Sequence, residues 1–387
     1  MIKKWGIYAG LAILLSFLAG CAAETQPIEG ASMSGSLQET EPGSRMPFSI
    51  QVERAGDPLG IDFRGVVISG TVRAELTGDT AGVIWQEEIA SPGPFAANTV
   101  VTPSTPGEYQ LGLAWDGPVQ AQYALQWQPG AIEVPTVSPL ALMAGGGMVA
   151  VAVGFVVYTL ATHQMAWKYL GLGALGWIIT VLLKFAWAVP VNPIVYSMLI
   201  DTLLEAVGLP IFYLYVGALT GVFEVATVWL VMRHSRLGRE VTWKDAFSFG
   251  VSFGSVEALL LGISSIASII VALTTPDIFP LRTLEQIAQA SNPLYGLAPV
   301  LERFFAVLVH TFANLLIFYA VAKEQPRWFW MAFAYKTLID TVAAFGQVTG
   351  LNTLATLWAI EAVVVIWGAG GWLGIRWLKR RYPETIH

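Results

Sequence analysis

The chain has 387 residues, of which 55% are hydrophobic and only 12% charged, with a mean hydropathy of +0.60. These values exclude an ordinary soluble protein and indicate a polytopic membrane protein with room for a small soluble domain. The formal charge of −6 is unevenly spread: residues 22–136 hold 4 Lys/Arg against 14 Asp/Glu, and the rest hold 17 against 13. That division argues against nucleic-acid binding and suits an acidic outer domain with basic inner loops.

Cys21 is the only cysteine, so neither disulfides nor cysteine metal sites form within the chain. Lys3 and Lys4 precede an apolar run, Trp5–Leu18, and then Leu18-Ala19-Gly20-Cys21. This start resembles a bacterial lipoprotein signal with its lipobox. The resemblance implies cleavage before Cys21, a lipid on Cys21 and an extracytoplasmic N-terminus; an uncleaved signal anchor is the alternative. Residues 1–20 are therefore set apart as a signal peptide. Residues 21–44 are small, polar and acidic, which predicts a flexible tether. Residues 45–136 alternate short apolar runs such as FSIQV and YQLGLAW with Gly, Pro and Asp, predicting an all-β sandwich. Trp85, Trp115 and Trp127 are expected in its core or rim, with a carbohydrate-binding surface as the other reading. It has no His or Cys and only scattered acids, so no catalytic constellation is visible there. An envelope partner would suit such a domain.

Residues 137–380 read as a transmembrane α-helical bundle, and 381–387 as a cytoplasmic tail. Spans are expected near 139–161, 166–189, 210–232, 246–273, 299–322, 328–347 and 354–376, each close to the roughly 20 residues a bilayer requires. Seven crossings with an outside N-terminus put Lys168, Arg233, Arg236, Arg239, Lys244, Lys323, Arg327 and the 376–381 cluster inside. That agrees with the positive-inside rule for a bacterial cytoplasmic (inner) membrane. Residues 193–208 are left as an interfacial helix ended by Gly208-Leu209-Pro210. Its acids, Asp201 and Glu205, are candidate partners for Lys184. Ala246, Gly250, Gly254, Ala258 and Gly262 form an every-fourth stripe for close helix packing.

Within the spans, acids stand out, because a carboxylate in mid-bilayer costs several kcal/mol unless compensated. Counting about 1.5 Å per residue from the expected inner ends puts Glu224 roughly 14 Å deep, and Glu257, His310 and Asp340 each about 18 Å deep. His310 with Asn314, and Lys336 with Asp340, are i,i+4 pairs. Glu302 and Arg303 sit nearer the outer edge. One reading is a polar cavity with a carboxylate as general base and an imidazole that orients or protonates reacting groups. The other is a structural ion-pair network. A single membrane histidine is a weak basis for a metal site.

At these residues the chain resembles the YhfC-type membrane peptidase family, related to the CAAX-protease and bacteriocin-processing glutamic intramembrane proteases. The resemblance covers about residues 139–378. It rests on Gly221-Val222-Phe223-Glu224, Gly250-Val251-Ser252-Phe253-Gly254-Ser255-Val256-Glu257-Ala258, Glu302-Arg303-Phe304-Phe305-Ala306 with His310, and Tyr335-Lys336-Thr337-Leu338-Ile339-Asp340. Where the family has a second glutamate this chain has Val225, and the arginine expected after it is apolar, near Val228. Phe253 and Lys336 stand where histidines are expected. The resemblance implies a glutamic-type intramembrane endopeptidase acting on membrane-associated polypeptides, without metal or organic cofactor. Glu224 would activate water, His310 with Asn314 would polarise, and Glu257 and Asp340 would support them. Lys336, Glu302 and Arg303 would support or substitute for missing groups. The departures admit a weakened or inactive enzyme. Two rivals stay open: a non-catalytic relative that binds membrane polypeptides, and a proton-coupled transporter.

Overall fold

The computed structural model describes residues 31–78, 82–90, 92–238, 241–350 and 353–382. The signal segment, Cys21, the first part of the expected tether and most of the expected tail lie outside the described residues. The chain divides into two compact units.

The first unit is built on eight strands among the described residues: β1 (Ala31–Glu39), β2 (Gly43–Val52), β3 (Leu59–Ser69), β4 (Val72–Gly78), β5 (Gly82–Ile89), β6 (Gly93–Val101), β7 (Gly107–Trp115) and β8 (Val119–Pro129). They form two antiparallel sheets, ordered β1-β8-β3-β6 and β2-β7-β4-β5. Alternation puts Ile61, Phe63, Leu76, Leu111, Leu113 and Leu125 into the shared core, all fully buried. Trp115 is buried and donates from Nε1 to the Glu41 carbonyl at 2.8 Å, while Trp85 and Trp127 pack half-buried on the core.

The tether expected over 21–44 is in part a strand. β1 pairs along β8 from Ala31 opposite Trp127 to Glu39 opposite Val119. Its average composition hides an alternation that sends Met33 and Leu37 inward, and Leu37 is 1% exposed. An edge strand needs only one ladder and a few apolar anchors.

Strand β3 is buried on both faces over most of its length. The unit includes residues 267–292, whose Pro276–Ile278 turn packs against β3 and β6. Beside the core residues of β3, Arg64 and Asp62 are each 1% exposed and form a fork, Nε to Oδ1 at 2.5 Å and Nη2 to Oδ2 at 2.6 Å. Both charges are thus desolvated and satisfy each other. Arg64→Lys keeps the charge but loses the planar fork, and should lower stability by about 1.5–3 kcal/mol in thermal unfolding of the full chain. An unchanged unfolding temperature would contradict this role.

The second unit is a helical bundle: α1 (Leu142–Ala161), α2 (Trp167–Thr202), α3 (Glu205–Thr220), α4 (Thr227–His234), α5 (Trp243–Thr274), α6 (Leu281–Gln289), α7 (Pro293–Ala322), α8 (Pro326–Thr349) and α9 (Leu354–Lys379). Of these, α6 and the last residues of α5 group with the β-unit. Six helical stretches among the described residues are long and apolar enough to cross a membrane. They are Pro139–Ala161, Trp167–Thr202, Glu205–His234, Trp243–Thr274, Pro293–Ala322 and Leu354–Lys379. The seventh expected span, 328–347, falls on α8, which is 24 residues long and buries Lys336 within it.

The expected interfacial helix over 193–208 does not form as a separate element. Helix α2 runs unbroken for 36 residues through Pro190 and Pro193, and the chain turns at Leu203 and Leu204. Pro210, expected to end a helix, lies inside α3. A proline in a helix interior costs about 3 kcal/mol. Both helices nonetheless run on through these prolines.

Close approaches fix the bundle. A Cβ on Gly221 would lie 2.7 Å from Thr337 Oγ1 and 2.8 Å from the Phe333 ring, so only glycine lets α8 come this near. The stripe on α5 serves packing as its spacing suggests. Gly250 and Gly254 approach α7 at Thr311 and Val307, whereas Gly262 approaches α1 at Gly145. Gly221→Leu should push α3 and α8 apart at a cost of about 1–3 kcal/mol, read by thermal unfolding in detergent. A wild-type melting profile would count against this packing argument.

Candidate functional site

The site begins with a local irregularity. Between α3 and α4 the helix runs on through a π-turn, Gly221–Ala226, which carries Glu224. A π-turn adds a residue to the turn and re-aims the side chains that follow, and such bulges gather at functional positions. Here it coincides with the close approach of Gly221 to α8. Together they turn Glu224 into the bundle, where it is 5% exposed.

Three other helices bring partners. Lys184 of α2 donates to Glu224 Oε1 at 2.7 Å and lies 3.5 Å from Thr220 Oγ1. Lys336 of α8 places Nζ 3.4 Å from Glu224 Oε2 and 3.6 Å from Asp340 Oδ1. His310 of α7 places Nδ1 3.8 Å from the same Oε2, which is buried and has no hydrogen-bond partner. The opposite ring nitrogen, Nε2, donates to Glu257 Oε2 of α5 at 2.7 Å. Glu257 also accepts from Trp177 Nε1 at 3.0 Å and from the guanidinium of Arg303, which reaches Glu302 as well. The Phe253 ring flanks His310 with 5.3 Å between centroids.

Glu224, Glu257, His310 and Asp340, which depth counting puts at one level, thus meet in one cluster. Lys336 joins Asp340 to Glu224, and Arg303 reaches in from Glu302 to Glu257. Asn314 does something different. Its amide donates to the His310 backbone carbonyl at 2.9 Å, and its Oδ1 is buried without a partner.

Lys184 does not pair with Asp201 or Glu205. In a continuous α2, Asp201 lies 17 residues and about 26 Å further along. It accepts from Ser197 at 2.8 Å instead, while Glu205 opens α3. Sequence reasoning also passed over Trp177, although its depth on α2, about 15 Å from Trp167, matches that of Glu257. Glu361 on α9 was missed as well: it is 4% exposed with Oε2 unpartnered, a span acid beyond Glu224, Glu257 and Asp340.

The arrangement has a definite polarity. The Glu257 carboxylate accepts from Nε2, so that nitrogen carries the His310 proton and Nδ1 presents a lone pair. Glu224 Oε2 faces it as a second acceptor. Two acceptors 3.8 Å apart can each take one hydrogen of a single water at ordinary hydrogen-bond lengths. That water's lone pairs are then free to attack.

The family described as YhfC intramembrane metalloprotease matches residues 147–364. A relative from Bacillus subtilis (strain 168), described as the uncharacterized membrane protein YhfC, is 26% identical over 247 residues. That match covers 59% of this chain and 90% of the relative. A solved chain of the Bacillus endospore appendages, described as disulfide-linked pili, is 8% identical with a TM-score of 0.17. It covers 29% of this chain and 100% of its own length, a likeness too weak to bear on the fold.

The family's description names a metal, and the residues present do not fit one. A structural or catalytic zinc needs at least three protein donors. Both Glu257 oxygens are taken by Arg303, Trp177 and His310, and Glu224 Oε1 is taken by Lys184. Glu224 Oε2 and His310 Nδ1 are two facing atoms left with lone pairs to offer, and the Lys336 ammonium stands 3.4 Å from that oxygen; Asn314 Oδ1, also unpartnered, is a neutral amide oxygen. Among the described residues no three His, Cys, Asp or Glu are grouped to hold an ion.

Proposed function

The chain belongs to the YhfC intramembrane metalloprotease family, and from that premise we propose that it is a metal-independent, glutamic-type intramembrane endopeptidase acting on membrane-associated polypeptides. The observation that carries this reading is Glu224 Oε2, buried without a hydrogen-bond partner and 3.8 Å from His310 Nδ1. Water held there attacks the scissile carbonyl carbon. Its proton passes to Glu224 as the C–O bond forms. The oxyanion is stabilised by the Lys336 ammonium, in place of the neutral donors that hydrolases commonly use. Glu224 then returns the proton to the leaving amine as the C–N bond breaks. Glu257 holds His310 in the tautomer this requires, with Trp177 and Arg303 fixing Glu257 in turn. Asp340 limits how far Lys336 moves. In this reading the protein lies in the cytoplasmic membrane with its C-terminus in the cytoplasm.

A second reading is favoured by two other features. The Lys184 ion pair holds Glu224 at 2.7 Å, and Phe253 brings no hydrogen bond to His310. Both suit a relative that binds membrane polypeptides without cutting them. The test compares membrane-protein N-termini by mass spectrometry in cells carrying the wild-type chain or Glu224→Gln at matched expression. New termini beside apolar segments, present only with wild type, support the peptidase and identify its substrate. Identical termini with both chains correctly inserted would transfer the reading to the binding protein.

A further inference from the structure

We infer that the helical unit holds one anionic glycerophospholipid in a lateral cavity formed by α1, α5, α7 and α9. The cavity has a volume of about 1270 Å³. That exceeds the roughly 300–1,000 Å³ usual for small-molecule sites. It runs beside α1 from Gly147 to Thr162, 15 residues and about 22 Å, close to the length of a fully extended long acyl chain. Its walls are apolar over most of that length, with Val151, Val300, Phe304 and Phe305 among them. No residue of the Glu224 cluster lines it.

One end differs. Arg376 and Lys379 of α9 close it, beside Gln164. Both cations are exposed, and among the described residues neither has a carboxylate partner. Arg376 stacks its guanidinium 4.7 Å above the Trp372 ring, which steers it along the cavity wall. An apolar channel that ends in two cations without a carboxylate partner among the described residues is complementary to one molecule carrying both chains and a phosphodiester. Basic pockets between membrane helices take anionic headgroups for this reason. A transmembrane peptide would fill the apolar part and leave both cations unpaired, so the lipid is the better match.

Gly154 offers a clean way to close the channel. It lines the cavity, and a Cβ there would meet nothing within 4 Å. The test is native mass spectrometry of the full chain, delipidated in neutral detergent and titrated with phosphatidylglycerol or phosphatidylcholine. Wild type should retain one phosphatidylglycerol per chain, with roughly a 10- to 30-fold preference over phosphatidylcholine. Gly154→Phe should lose both lipids while keeping its circular-dichroism spectrum. Arg376→Gln with Lys379→Gln should still bind lipid but lose the preference. Equal retention of the two lipids by wild type would overturn the proposal. So would a Gly154→Phe chain that binds as wild type does, or a co-purified peptide that lipid cannot displace.

Discussion

Replacing Glu224 with glutamine is expected to lower peptide-bond hydrolysis by roughly 10²- to 10⁴-fold, the range a positioned general base supplies. The substrate for this assay is the segment identified by its new N-terminus. Glutamine keeps the shape and can still accept from Lys184, but it cannot take a proton from water. A loss of activity alone does not distinguish lost chemistry from lost structure, because Glu224 also answers two cations, the buried Lys336 and the part-exposed Lys184. Lys336 keeps Asp340 in the variant, whereas Lys184 keeps only neutral acceptors, the glutamine amide oxygen and the Thr220 hydroxyl. The variant should therefore also be less stable. Adding Lys184→Met removes the stranded charge and should restore stability without restoring hydrolysis. Residues acting on one water act as a unit, so His310→Ala on top of Glu224→Gln should cost little more than either alone. Hydrolysis recovered with stability in the Lys184→Met, Glu224→Gln chain would show Glu224 to be a structural anion only.

Depth counting works for Glu224, Glu257, His310 and Asp340 because helix rise is constant and a buried charge has few places to go. Four residues on four helices at one level must face one another or face lipid, and lipid is too costly. The same arithmetic fails for Lys184. Counted from Trp167 it lies about 26 Å along its helix, near the far edge. Its flexible stem brings Nζ back to Glu224, one turn below Thr220. Arg303 is misplaced outward for the same reason, since a long side chain reports where its charge is less faithfully than a short acid does. The π-turn at Gly221–Ala226 leaves no mark in the sequence pattern, being one extra residue in an apolar run that reads the same in either helical form. Two prolines in α2 suggest a break, yet the helix carries both without one. In the β-unit, strands with strong alternation were legible. β1 was not, because Met33 and Leu37 are its main apolar anchors amid small polar residues.

The largest structural effect is expected at Arg303, which belongs to no step of the proposed chemistry. Its guanidinium holds both Glu257 and Glu302, and its side chain is 12% exposed. Arg303→Leu leaves Glu257, whose side chain is 19% exposed, with only Trp177 and His310 as donors, and leaves Glu302 unpaired beside it. Breaking a buried pair by removing one partner costs about 3–5 kcal/mol. The expected result is a sharp loss of folded chain in a detergent unfolding titration. Glu302→Gln is the matched control: that acid is 34% exposed at the rim, so its loss should cost no more than about 1 kcal/mol. Arg303→Met combined with Glu257→Leu removes both charges and should regain most of the stability. Hydrolysis should not return with it, because His310 no longer has the carboxylate that fixes its tautomer. If this double variant were both stable and as active as wild type, Glu257 would have no part in orienting His310. The cluster would then be an ion-pair network around a lone glutamate.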